Sequence, residues 1–424
     1  MIAGARREVA AALGLAAVLA TSTGCEGLTS VANPEVPLWV NHPGNAMSIS
    51  DERDLTAHTR KVGEAYERGK PAIDPVHRRV FVGSSDHGLY ALSAAGLHTL
   101  WRFETAGGVQ CEPLYDLRED AVYFGSNDGA LYKLRGADGK MLWRFGTNAE
   151  VNARPVIYGD TLFAVDANDT LVAIDPTTGK LRWFRHRPPA AGMEIAGYAG
   201  PLVHEDVVYT AHSDGVVVAY RTSDGAEAWP TPVDLAADAE ELTGSGELRY
   251  LDVDTTPVLG RVGETTVIHV ASYEGGVYAL DAKSGGRLWL NDGIKGVNEL
   301  VMWEAASRPR PGSPTKMHRV LIASSGLTGL WGIEPETGEE LWRRDLPTGG
   351  VTAAEPWSGA LLVGTTRYGL FLVHPLDGGV IDGLHSGGAF AATPAAYGRH
   401  AFALSNHGKL FGLTITPPGG MPGG

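Results

Sequence analysis

A chain of 424 residues with 49 acidic and 35 basic side chains carries a formal net charge of −14. That balance argues against a nucleic-acid backbone or an anionic lipid surface as partner for its body. Its 56 glycines exceed the usual ~7% share without a Gly-X-Y period, which points to turn-rich β structure and away from collagen.

Residues 1–24 read as a signal peptide of the lipoprotein type. Arg6 and Arg7 open it, and Val9–Ala20 is an unbroken run of Ala, Leu, Val and Gly too short to span a bilayer. Ser22-Thr23-Gly24-Cys25 then resembles a bacterial lipobox, with Ser22 where that motif usually has Leu. The resemblance implies lipidation at Cys25; an ordinary secretory signal cut nearby is the other reading. With Cys25 acylated, Cys111 is left without a partner and reads as a buried structural thiol. Residues 25–37 form a lipid-attached tether in which Pro34 and Pro37 discourage regular structure. Leu38-Trp39-Val40 reads as the last strand of a repeat. His42–Lys70 reads as a polar surface insertion, helical over Ser50–Arg68.

From there the chain repeats one unit. Asp120–Phe145 shows it: an apolar run (Ala121–Gly125), a Ser-Asn-Asp-Gly turn, a second run (Ala130–Leu134), an Ala-Asp-Gly turn, and a third run ending in Trp143. Copies lie at Arg79–Phe103, Asp160–Arg185, Asp206–Pro230, Thr266–Leu290, Arg319–Arg343, Gly359–Leu384 and Arg399–Ile415, most of them preceded by one more short strand. The repeat-closing tryptophans Trp101, Trp143, Trp183, Trp229, Trp289 and Trp342 are 42, 40, 46, 60 and 53 residues apart. A base period of ~40 suits four-stranded propeller blades. The longer intervals hold insertions around 231–254, acidic at Asp234–Glu247, and 303–318, basic at Arg308–Lys316. The last copy ends before its tryptophan strand, and Leu38-Trp39-Val40 supplies the missing one. The expectation is an all-β fold: one eight-bladed β-propeller of four-stranded antiparallel blades over 38–416, its ring closed by an N-terminal strand, with a disordered Gly/Pro tail at 417–424.

Ala173-Ile174-Asp175-Pro176-Thr177-Thr178-Gly179-Lys180-Leu181-Arg182-Trp183 and the equivalent run from Ala279 to Trp289 resemble the A-x-D-x-x-T-G-x-x-x-W repeat of the PQQ-type propellers. Arg135 and Arg221 depart from it at the acidic position, and Asp382 stands where a seventh-blade tryptophan is expected. The resemblance implies that Trp39, Trp101, Trp143, Trp183, Trp229, Trp289 and Trp342 are structural wedges between blades.

The family has two branches. Quinoprotein dehydrogenases hold PQQ and Ca²⁺ above the propeller centre, typically over a disulfide of neighbouring cysteines. The other branch is a lipid-anchored, non-catalytic propeller of outer-membrane β-barrel assembly. Length, blade number, lipobox and the lack of adjacent cysteines favour the second. It implies barrel-assembly proteins as partners, a site on the periplasmic face of the outer membrane, a monomeric propeller, no cofactor and no nucleic acid. A propeller binding another envelope protein or a polysaccharide is a third reading.

No HExxH, GxSxG, P-loop or metal-spaced Cys/His cluster is present in the sequence. His87, His212 and His407 recur beside blade turns and read as turn residues, as do Asp86, Asp128 and Asp214. Glu112, Arg154 and Glu299 fall at the starts of innermost strands, which makes them candidates for a polar channel lining.

Overall fold

The computed structural model describes residues 45–55, 67–188, 199–243, 250, 252–307, 315–345, 349–357, 359–386 and 388–416. Cys25, Trp39, the leader, the tether and the C-terminal tail lie outside them. Among the described residues, thirty-two strands, β1–β32 in chain order, form eight four-stranded sheets. Seven blades are consecutive meanders. The eighth joins β30 (Ala395–Tyr397), β31 (His400–Leu404) and β32 (Lys409–Ile415) to β1 (Met47–Asp54).

The two middle strands of each blade are buried on both faces, which explains their near-continuous apolar character. Ala121–Ser126 and Thr161–Val165 are buried at every residue. Outermost strands alternate instead: Leu142 is exposed and Trp143 buried.

The ring is closed by an N-terminal strand, but a different one from that expected. Met47 pairs with Ile415 and Asp54 with Lys409, antiparallel. So the reading of Ser50–Arg68 as a helix fails over 50–54, where the chain is strand; residues 56–66 lie outside the described region. The sequence Met-Ser-Ile-Ser-Asp-Glu-Arg-Asp hides a strand because an outermost strand has one sheet neighbour and an open flank, so charged side chains cost it little. Lys409 pairs with Glu52 at 3.0 Å across the seam.

Two insertions acquire shape. After blade 4, a helix, α1 (Leu235–Thr243), buries Leu235, Ala236 and Ala239, and the Asp234 side chain caps it by accepting from the Ala237 N–H. In blade 6, β22 (Val297–Ser307) and β23 (Lys316–Ser325) make a ribbon longer than in any other blade. The fourth strand of blade 4 is β17 (Val233–Asp234), beyond the segment that carries Trp229. Pro230 and Pro232 prevent that segment from continuing a ladder.

Candidate functional site: the channel mouth

The blade seams come first, because they separate structure from site. Trp101, Trp143, Trp183, Trp229, Trp289 and Trp342 each donate the indole N–H to a main-chain oxygen of the following blade, at 2.8–3.1 Å. The acceptors are Gly136, Pro176, Thr222, Ala282, Pro335 and Pro375, each three residues before the glycine of the next blade's T-G turn. Those glycines adopt positive φ, as at Gly139 (70°) and Gly179 (70°). A Cβ there would meet the preceding blade's indole at 2.7 and 2.8 Å. The motif's Gly and Trp therefore serve one seam from two blades.

The seventh-to-eighth seam departs from this. Asp382 takes the tryptophan position opposite Leu372, is buried, and accepts from the Met47 N–H of the closing strand at 2.7 Å. Trp357, on β26 (Glu355–Trp357), reaches Gly398 O at 2.5 Å.

Equivalent registers identify what faces the axis. Ala72, Leu114, Val156, Leu202, Val258, Val301, Glu355 and Ala395 occupy matching positions on the eight innermost strands. Two residues earlier stand Lys70, Glu112, Arg154, Gly200, Thr256, Glu299, Ala353 and Thr393. This ring lies where the chain enters each innermost strand, on the face that also carries the turns between second and third strands. The structure sets Glu112, Arg154 and Glu299 at matching positions of this ring and brings Glu112 and Arg154 into contact. It adds Lys70 and Glu355, which sequence reasoning missed. A signal was present for Lys70: Lys70-Pro71, Glu112-Pro113 and Arg154-Pro155 repeat one pattern before a strand.

Lys70 Nζ lies 3.5 Å from Glu112 Oε2 and 3.2 Å from Glu355 Oε2, and Arg154 Nε lies 3.4 Å from Glu112 Oε1. Burial works against the Lys70 ammonium, but Glu112 and Glu355 outweigh it and hold its pKa above the ordinary lysine value. Glu299 faces the channel from blade 6. Burial pushes its pKa up to about 7; Lys70 pulls it down and Glu112 pushes it further up. Blades 2 and 6, which carry Glu112 and Glu299, are opposite members of the ring. A cleft of about 320 Å³ runs along the wall beside blades 2 and 3, bounded by Leu114, Tyr115, Arg118, Arg154 and Ile157.

The turn residues stay turn residues. Asp86 accepts from the Gly88 N–H at 2.9 Å, Asp128 from Tyr132 OH at 2.5 Å, and Asp214 from Arg187 Nε at 2.5 Å. His87 sits at φ 69° in its turn. His212 is buried, 2.9 Å from Thr210 Oγ1 and 3.5 Å from Asp169 Oδ1 across the seam of blades 3 and 4. The structure does not gather His87, His212 and His407.

Among the described residues one group has metal-ligand proximity, Asp74, His77 and Asp120. Arg79 already occupies it, donating to Asp74 at 2.7 Å and to Asp120, with Tyr115 OH 3.0 Å from Asp120. A guanidinium in that place supplies the positive charge a cation would bring.

Cys111 is fully buried; its sulfur accepts the Gly125 N–H at 3.0 Å, and burial pushes its pKa up to about 12. The sequence offers no vicinal cysteine pair, and Glu112 and Glu355 at the mouth are engaged with Lys70, Glu112 also with Arg154. That donor set does not match a calcium–quinone site. No described helix is long and apolar enough to cross a membrane.

Eight radially arranged four-stranded blades, sealed by indoles seated on glycine turns, define a PQQ-like β-propeller. The chain belongs to the family described as outer membrane protein assembly factor BamB, whose sequence model matches residues 85–307. A curated relative, the outer membrane protein assembly factor BamB of Legionella pneumophila, is 25% identical over 54% of this chain and 53% of its own length. The tetrathionate hydrolase of Acidithiobacillus ferrooxidans is 24% identical over 72% of this chain and 51% of its own. The chain thus spans about half the length of these relatives. Among solved structures, BamB from Moraxella catarrhalis superposes with a TM-score of 0.68 at 19% identity, covering 87% of this chain and 100% of that one. That likeness concerns the fold.

Proposed function

We propose that this chain is a non-catalytic, protein-binding propeller of the cell envelope, acting as a BamB-like component of outer-membrane β-barrel assembly. In this reading Cys25 carries the lipid and holds the ring at the periplasmic face of the outer membrane. The observation that carries the proposal is membership of the BamB family over 85–307. Recognition falls to the interruptions of the repeat, where α1 and the long β22–β23 ribbon stand out from a rigid scaffold. The test is mild solubilisation of native membranes with the tagged full-length protein. Co-purification of the barrel insertase supports the reading, and its consistent absence overturns it.

Likeness to tetrathionate hydrolase motivates an enzymatic alternative, as does the quinoprotein branch of the fold. Incubation with tetrathionate, and titration with PQQ and Ca²⁺ in the presence of a redox dye, tests both. Turnover or a bound-quinone spectrum would favour that alternative.

A further inference from the structure

The face opposite the channel mouth carries the turns between first and second strands, and an arc of it is apolar. Val76, Leu117, Tyr158 and Tyr397 are between 38% and 61% exposed there. Val76 and Leu117 lie in the turns after β2 (Ala72–Asp74) and β6 (Leu114–Asp116), and Tyr158 and Tyr397 end β10 (Val156–Tyr158) and β30. These strands belong to blades 1, 2, 3 and 8, which are consecutive around the closed ring. Polar residues take the same turns in blades 4 and 5, Glu205-Asp206 and Gly263-Glu264. Among the described residues the exposed guanidinium groups of Arg78 and Arg399 have no carboxylate partner, whereas the exposed carboxylates of these turns are paired, Glu119 with Lys133 and Asp160 with Arg182. The acidic balance of the chain is thus reversed on this arc. The chain also leaves the ring here: Met47 pairs with Ile415 at this end of blade 8, and the Thr416 N–H donates to Ala46 O at 2.8 Å. The backbone from Cys25 to Asn45 can span at most about 70 Å.

We propose that this arc is a bilayer-docking surface, with Val76, Leu117, Tyr158 and Tyr397 in the lipid headgroup layer, Arg78 and Arg399 against lipid phosphates, and the channel mouth turned away from the membrane. The proposal rests on the reading of Cys25 as a lipid anchor. Tyrosine suits such a boundary because its ring is apolar and its hydroxyl polar. Four partly exposed side chains bind a bilayer weakly by themselves. A lipid on Cys25 holds them at high local concentration beside it, which lets a weak contact persist. The exit of the tether on the same face, together with the two unpaired guanidinium groups, favours an anionic bilayer over a second copy of this acidic chain.

Hydroxyl-radical footprinting reads side-chain cover without a label. The full-length protein, purified from membranes and reconstituted in vesicles of phosphatidylethanolamine with a minority of phosphatidylglycerol, is compared with Cys25→Ala free in solution. Leu327, 60% exposed in the turn after β23 on the mouth face, is the internal reference. The expected result is oxidation of Leu117, Tyr158 and Tyr397 several-fold slower on vesicles, with Leu327 unchanged. Arg78→Glu combined with Arg399→Glu should bring those rates back towards the soluble values. Equal rates in the two states, or a Leu327 slowed to the same extent, overturn the proposal. Slowing in solution at raised protein concentration, without vesicles, identifies a second copy as the occupant and overturns it too. Intact mass separates this proposal from the anchor reading. An unacylated chain removes the anchor and the docking with it, whereas an acylated chain with unchanged rates overturns the docking alone.

Discussion

The indole of Trp143 lies over Gly179, packing onto a backbone position where a Cβ would sit 2.8 Å from the ring. Its N–H meanwhile bonds Pro176 O at 2.9 Å. One interaction is apolar and one polar, and both depend on a turn with φ of 70° at the glycine. Gly179→Ala should therefore strain the backbone and lift the indole together. A loss of about 2–4 kcal/mol in urea unfolding is expected, against about 3–5 kcal/mol for Trp143→Ala. The double variant should cost less than the sum, because both changes empty the same seam.

Asp382 replaces a tryptophan and instead holds the closing strand through Met47. Asp382→Ala removes a buried acceptor and leaves a main-chain N–H unsatisfied, at a cost of about 1–3 kcal/mol. Deleting residues 1–54 exposes the edge of β32, so self-association on size-exclusion chromatography is the expected outcome.

Arg79 bonds Asp74 and Asp120 while nearly buried, at 5% exposure. Arg79→Met leaves two carboxylates facing each other, and about 3–5 kcal/mol of stability should be lost. Asp74→Asn in that background should recover part of it, as a double-mutant cycle would show. A stable Arg79→Met protein that gains divalent-cation affinity by calorimetry would show the network to be a masked metal site.

The pH dependence of stability separates by group. Burial pushes the folded pKa of Glu299 up to about 7 from an ordinary 4.5. Its contribution is present below 4.5 and is lost as pH rises through 7. His269, whose folded pKa burial depresses to about 4 from 6.5, acts in the opposite sense, its contribution being present above 6.5 and lost as pH falls through 4. The two oppose each other between pH 4.5 and 6.5, and Glu299 dominates above that. Glu299→Gln should match the wild-type protein near pH 5 and exceed it by on the order of 1–2 kcal/mol at pH 8, allowing for solvent in the channel. Urea midpoints at both pH values check this.

The sequence disclosed the blades because the propeller repeats its constraints. A turn glycine, two buried runs and a wedge tryptophan recur at fixed spacing, and six of the seven expected wedges lie at seams; Trp39 falls outside the described residues. The closing strand was hidden for a physical reason. Met47–Asp54 satisfies its backbone against β32 and gives the core only Met47 and Ile49, so its otherwise polar composition does not mark it as a strand. The channel was half legible. Glu112, Arg154 and Glu299 sit at repeat positions that count out from the turns, whereas Lys70 lay inside a stretch read as an insertion. Glu355 lies two residues further along its strand than the ring. Which charges meet across an axis depends on closing the ring, and no local pattern encodes that.

The most direct test of the assembly role compares outer-membrane β-barrel content, by quantitative proteomics of purified outer membranes, in strains with the gene intact, deleted, or restored as wild type or Cys25→Ala. The account predicts depletion of barrel proteins on deletion, recovery with the wild-type gene, and poorer recovery with Cys25→Ala. Unchanged barrel content in the deletion strain would contradict it.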